Sequence, residues 1–371
     1  MAETAADEPS DDDKALLGAA LNGYLDVVQY FVGQGANVNW GTNTKGAPLH
    51  LASQEGHLDV VEYLVSQGAQ VNRCIDKGLT PLDCASHSGR LNVVRYLLSK
   101  GAQLDTCGNG SNTPLHVASQ MGHLDVVEYL VSQGAQLEMC DNDNDTPLQL
   151  ASQKGHLNVI QYLVNQGAQV ERIDNFDQTP LLAASSKGHV DVVEYLVSQG
   201  AQVNRGTNTG GTPLLYASRE GHLDVVRYLV GQGAKVEKGL GNGVTPLFSA
   251  SRNGHLDVGQ YLVGQGAQVE RGNNKGLTPL HVASGYGHLD MVRYLVSQGA
   301  QVERCDNDGD TPLIVASRKG HLDVVRYLKR EQAQRKTASP EGMICNLIVS
   351  KGGYTMSKGD VLYRVRAVMI L

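Results

Sequence analysis

Proline recurs at positions 48, 81, 114, 147, 180, 213, 246, 279 and 312, a strict spacing of 33 residues. Leucine follows each one, alanine stands four residues after it and glycine eight residues after it. Threonine precedes every one of these prolines except the first, where Ala47 takes its place. A chain written this way does not build one large core, because each unit meets only its neighbours and the fold grows along one direction. Its 371 residues therefore need not divide into the two or three globular domains that length alone suggests.

Each unit reads as two short helices and a loop. In Thr80-Pro81 the threonine hydroxyl can cap free backbone N–H groups, and proline suits the first helical position. Leu49, Ala52 and Ser53 share one face of a first helix that stops near Gly56. Leu58, Val61, Leu64 and Val65 lie at helical spacing in a second helix. Asp59 falls in its first turn, where the helix dipole favours an anion, and Gly68 closes it with a left-handed cap. From Val71 to Leu79 the chain is extended and turn-rich, which predicts a hairpin-like loop.

TPLHVA at 113–118 and 278–283, with blocks such as GHLDVVEYLVSQGAQ at 56–70, resembles the ankyrin repeat. The resemblance covers residues 14–333, about ten copies. Nine carry the proline, and a tenth at the front, ALLGAALNGYLDVVQYFVGQGANVN (15–39), keeps the frame without Thr-Pro. It implies an all-α solenoid of stacked helix-turn-helix units with projecting β-hairpin-like loops. It also implies that partner proteins meet the concave side, built from loop tips and the exposed face of the first helices. Residues 1–13 are expected to be a disordered acidic N-terminus, and 334–371 a linker and unassigned tail with β-branched runs around Gly352-Gly353.

Composition narrows the function. The formal net charge is −7, which gives no reason to expect nucleic acid, since that affinity rests on Lys and Arg neutralising phosphates. No apolar run reaches the roughly 18 residues of a membrane helix, and MAETAADEPSDDDK has no apolar segment of a secretory signal. Cys74, Cys84, Cys107, Cys140, Cys305 and Cys345 form no CxxC pair, so they read as free thiols in a reducing, cytoplasmic compartment, with the nucleus as another. No cofactor is expected, and the array is expected to act as a monomer.

Residue types that suggest chemistry all sit on repeat columns. Eight histidines, from His57 to His321, follow the glycine between the helices, and His50, His116 and His281 stand second after their prolines. A catalytic base occupies one special place, whereas these recur with the period, so they are expected to bond the turns. The tyrosine column from Tyr30 to Tyr327 is expected to pack. DNDND (141–145) and DNDGD (306–310) look like the start of a calcium loop but place threonine where the sixth-position glycine is needed and serine at the twelfth. GLGNGV (239–244) lies in a repeat loop without the strand and helix of a phosphate site. No enzyme is expected.

The copies agree at packing columns and differ at the loop tips and at the sixth and seventh places after proline. Basic residues gather there in later copies, as in Arg219, Arg252 and Arg318-Lys319. At the second place histidine gives way to Leu182, Leu215, Phe248 and Ile314. Exposed apolar anchors beside charges are the makings of an interface. Phe176, Leu182, Leu215, Arg219, Phe248 and Arg252 are therefore the candidate partner-binding patch, with Trp40 and Tyr286 as secondary candidates. The opposing reading is that Leu182, Leu215 and Phe248 pack between copies. The leading function is an adaptor that recognises a protein surface or peptide. One alternative is the targeting region of a larger membrane-skeleton, channel or signalling protein. Another is a substrate of asparagine hydroxylation, because Val71-Asn72 and Val203-Asn204 resemble the sites hydroxylated in the family. Ser339, after Arg335-Lys336 and before Pro340, fits a kinase target.

Gly259 stands where 61, 94 and 127 carry valine, and Gly231 and Gly264 lie in nearby second-helix positions. A glycine inside a helix costs about 1 kcal/mol, and the missing core side chain adds to it. Amide hydrogen exchange is expected to be faster over 225–265 than over 120–165. Equal protection of both stretches would remove this weak point.

Overall fold

The structure, a computed structural model, describes residues 10–42, 46–75, 78–105 and 112–338. Cys107, Cys345, Ser339, the 340–371 tail and residues 1–9 lie outside the described residues. Those described form twenty helices and no strand; the hairpin character of the loops survives only as single pairings such as the Thr42–Gly46 bridge. A typical copy has its first helix over Pro114–Met121 and its second over Leu124–Ser132.

Each expected stop and start has a physical agent. The Thr113 hydroxyl accepts from the His116 N–H, with Pro114 at the first helical position. Asp125 lies in the first turn of the second helix. The front of the chain departs from expectation. Asp11–Asp13 are not disordered but form the first turn of a helix over Asp11–Asn22. Ser10 Oγ accepts from the Asp13 N–H and Asp13 Oδ2 accepts from the Ser10 N–H, a reciprocal capping box. The aspartates read as an acidic tail are instead placed where the helix dipole stabilises them. At the other end the last helix runs over Leu322–Ala338, past the expected boundary at 333.

The described residues divide into two compact units, those within 1–250 with 257–267 and those within 251–256 with 268–371. In the first unit, from the front through the copy beginning at Pro213, each first helix lies against the first helix of the next copy. The core is a ladder of side chains such as Leu49, Ala52, Val60, Val61 and Leu64, repeated in each copy with almost no exposure. The second unit repeats the arrangement between the helices Pro279–Gly285 and Pro312–Lys319.

Polar latches run alongside the apolar ladder. His57 Nε2 donates to the Leu21 carbonyl (3.1 Å), His156 to Gln120 (2.9 Å) and His222 to Ser186 (3.2 Å), each reaching the last turn of the preceding copy's first helix. Those carbonyls are helix C-terminal acceptors without an intrahelical partner. Where the column holds arginine, Arg90 Nε donates to Gln54 O at 3.0 Å and does the same work. The ring also sets the residue beneath it: a Cβ at Gly188, where φ is +79°, would sit 2.5 Å from His222 Nδ1. Only glycine meets both the left-handed backbone and that approach.

A second latch uses the second place after proline. His116 Nδ1 accepts from the Thr113 N–H (3.2 Å), and Nε2 donates to Asp145 O of the next copy (3.2 Å). Gln149 does likewise, accepting from Thr146 N–H and donating to Gln178 O at 3.0 Å. Burial holds His50 neutral, its pKa pushed down to about 4, and lowers His116 and His281 in the same direction.

Asp83 is the exception in this column. Oδ2 accepts from Thr80 N–H and Oγ–H, but a carboxylate has no proton to give the next copy, and Oδ1 is buried without a partner among the described residues. Burial raises its pKa from 3.8 to about 6. The folded chain thus holds this proton more tightly than the unfolded one, so raising the pH from 3.8 toward 6 removes stability at this site. Asp83→Asn supplies a permanent donor. It is expected to leave stability little changed at about pH 4 and to add about 2 kcal/mol at pH 7, read from urea unfolding at both pH values. Comparing the variant with the wild type at each pH cancels the opposite titration of the histidines, which both proteins share.

Candidate functional site

Three of the second-place apolar residues are not exposed. Leu182, Leu215 and Phe248 retain 1%, 2% and 4% of their surface, so the reading of them as solvent-facing anchors is corrected: they are core side chains. The reason is the column. His50 and His116 at the same place are buried too, so apolar residues there replace one kind of packing contact with another. Ile314, in the last copy, keeps 42% of its surface.

The other candidates do reach solvent, in separate places. Phe176 projects from a loop tip with 63% of its surface exposed. Arg219 is exposed and lies 3.3 Å from Glu220, its neighbour in sequence. Trp40 is half-buried and lines an open groove of about 630 Å³ with Leu17, Leu21 and Leu51. In the second unit Arg252 donates from Nε to Tyr286 Oη (3.1 Å), its guanidinium 5.2 Å from the ring centroid. Tyr286 stacks in turn over His288. The arginine is thus held on an aromatic face, which a reading limited to helical spacing did not anticipate.

The loops behave differently from calcium loops. Asp141 Oδ1 accepts from the Asp143 and Asp145 N–H groups (3.0 and 2.8 Å), and Asp306 Oδ1 from those of Asp308 and Asp310 (3.0 and 2.9 Å). The first carboxylate of each loop is committed to its own turn. Among the described residues, no three His, Cys, Asp or Glu side chains converge as metal ligands. Cys74, Cys84, Cys140 and Cys305 are free thiols, and burial pushes Cys84 up to about 12. Burial and the carboxylates of Asp141, Asp174 and Asp143 raise Asp145 to about 7.

The tyrosine column packs between copies. Tyr96 and Tyr228 donate to Glu62 O and Glu194 O at 3.5 and 3.4 Å, and Arg95 covers the Tyr129 ring at 4.4 Å. Sequence reasoning missed a further column of clamps. Asn72 Oδ1 accepts from Gln103 N–H (3.0 Å) while Nδ2 donates to Gly101 O (3.0 Å), and Asn204 clamps Lys235 and Gly233 in the same way. Glu171 and Glu270 fill this column elsewhere, each also pairing with an arginine, Arg205 at 2.6 Å and Arg304 at 2.9 Å. The signal was the alternation of asparagine with glutamate at one repeat position.

These placements separate stability from recognition. Phe248→Ala is expected to cost about 3–5 kcal/mol and Leu215→Ala about 2–5 kcal/mol. Arg219→Ala should change stability by less than about 0.5 kcal/mol. Chemical denaturation of the three variants checks this.

Comparison with known proteins agrees with the geometry. The family model for ankyrin repeats matches residues 16–106, 104–174, 170–239, 206–273, 232–304 and 247–339. Comparison with curated proteins gives no match. Among solved structures, the crystal structure of the human ASB11 ankyrin repeat domain is similar, at 29% identity and a TM-score of 0.55. The likeness covers 59% of this chain and 98% of that one. Ankyrin repeats are generally protein–protein interaction modules, and the fold is typically a non-catalytic scaffold. With matches running from residue 16 to 339, the chain belongs to the ankyrin-repeat family.

Proposed function

We propose that this chain is a non-catalytic recognition array that binds a partner protein along its loop tips and the exposed side of its first helices. One observation carries this reading. Packing columns are nearly invariant from copy to copy, whereas the solvent-facing sixth and seventh places change in charge and size, from Gln54-Glu55 through Gln153-Lys154 to Arg219-Glu220. Packing does not dictate those residues, so they are free to be fitted to something outside the chain. The histidines that would otherwise suggest catalysis are engaged with backbone carbonyls of the neighbouring copy.

The side of the array is open to direct measurement. A photo-crosslinking amino acid placed at Lys187 or Arg219 on the first helices should capture one common protein from cell extract. At Glu194 or Arg227, exposed on the second helices, it should not. Capture from the second helices alone would overturn the assignment.

A further inference from the structure

The chain contains two nearly identical loops in different electrostatic states. Asp141–Asp145 and Asp306–Asp310 differ only at their fourth residue, Asn144 against Gly309, and fold with the same turn bonds. In the second, Arg318 closes on the last aspartate. Its Nη2 donates to Asp310 Oδ1 at 2.9 Å and its Nη1 to Oδ2 at 2.5 Å, a two-point grip on a planar carboxylate. Arg318 stands six residues after its repeat proline. The same place in the first loop's copy is Gln153, which is exposed and carries no charge. Among the described residues, the Asp145 carboxylate makes no ion pair.

The next loop deepens the imbalance. Asp174 and Asp177 join the first loop's carboxylates, and the two loops are bound together. Asn175 N–H donates to Asp143 O (2.9 Å), Asn175 Nδ2 to Asn142 O (3.0 Å) and Asn144 Nδ2 to Ile173 O (2.9 Å). The two loops are thus held together before anything binds, which lowers the ordering cost of association. Phe176 projects from the same loop pair, exposed, between Asp174 and Asp177 in sequence, and an aromatic side chain suits a cation with a planar, weakly hydrated head.

We propose that the loop pair 141–145 and 174–178 receives an arginine guanidinium from a partner peptide, at the position relative to Asp145 that Arg318 holds relative to Asp310. The last copy therefore carries its own occupant and the inner copy borrows one. The chemistry is arginine rather than a bare metal ion, because the sibling loop shows a guanidinium in place and no three ligands converge here. It is arginine rather than lysine because a bidentate grip needs two parallel N–H groups. The elevated proton affinity of Asp145, raised first by burial and then by the carboxylates of Asp141, Asp174 and Asp143, accords with this placement.

This inference rests on the reading of the array as a protein-recognition surface, and its test separates the two. The probe is an array of octapeptides with a fixed central arginine and varied neighbours, alongside a matched array in which citrulline, uncharged and nearly isosteric, replaces the arginine. The full chain is expected to prefer arginine peptides by about tenfold or more, the effect of one well-formed charged contact. Gln153→Arg supplies the missing guanidinium from within. It should abolish that preference while lowering the Asp145 carboxyl titration seen by NMR, and Asp145→Asn should also abolish it. Equal binding of arginine and citrulline peptides, or a preference that survives both variants, overturns the inference. If photo-crosslinking still captures a protein on the first-helix side while arginine is not preferred, this inference alone fails. If nothing is captured there, the underlying reading fails.

Discussion

Within each unit the fold depends on a contact between copies at the end of the first helices. A short helix leaves its last carbonyls unsatisfied, and a helix of eight residues such as Pro114–Met121 has few others. The next copy's histidine donates to one of them, His156 to Gln120 in this case, and lays its ring over the glycine that ends the helix. One side chain thus satisfies a backbone acceptor, excludes any side chain at the glycine and fixes the spacing of two copies. The apolar ladder supplies most of the burial, but burial is non-directional and would tolerate sliding. The hydrogen bond to a single carbonyl does not.

The strict period explains what was legible. Helix starts, helix ends and the packing columns follow from threonine, proline and glycine at fixed offsets, so the paired helices could be placed without coordinates. The error at Leu182, Leu215 and Phe248 came from reading each copy as an individual surface. The column, read across copies, already contained the correction: Thr113 and His116 form a capping box, and a side chain folded back against its own helix start is not turned to solvent. Asp11–Asp13 were misread because an acidic terminus looks disordered by composition, while the cap depends on the spacing of Ser10 and Asp13. Tyr286 holding Arg252 lay beyond the sequence because the partners are a full repeat apart and differ from their counterparts in neighbouring copies.

Not every irregularity of sequence is an irregularity of structure. Gly231 and Gly264 occupy the last position of their helices, and a Cβ there would meet nothing within 4 Å. They lack only the hydroxyl that Ser66 or Ser132 turns back onto a carbonyl three residues earlier at 2.6 Å. Gly259, by contrast, is buried in the valine column, where a missing side chain removes packing rather than a surface bond. Asn144 and Asp177 show the reverse case. Both adopt positive φ, 62° and 59°, at a loop position filled by glycine in copies such as those with Gly210 and Gly309. Asn144 offsets that strain through its bond to Ile173 O; the Asp177 carboxylate accepts from the Asn208 N–H at 3.4 Å.

The second-place column shows how one position can trade two kinds of stability. His50, His116, Gln149 and His281 bridge copies through hydrogen bonds, which add specificity but tie the stack to protonation. Below about pH 6.5 the unfolded chain gains a proton that buried His50 refuses until about pH 4, so acid weakens these joints. Leu182, Leu215 and Phe248 give up the bridge for apolar transfer, which is indifferent to pH. That exchange is tolerable because the histidine that closes on the preceding helix is still present, as in His189 to Gln153 and His222 to Ser186, and keeps the register without them. Asp83 has neither advantage, since it is polar without a donor and buried without apolar gain. A column can therefore change character in consecutive copies without loss of the fold, provided that the neighbouring latch is kept.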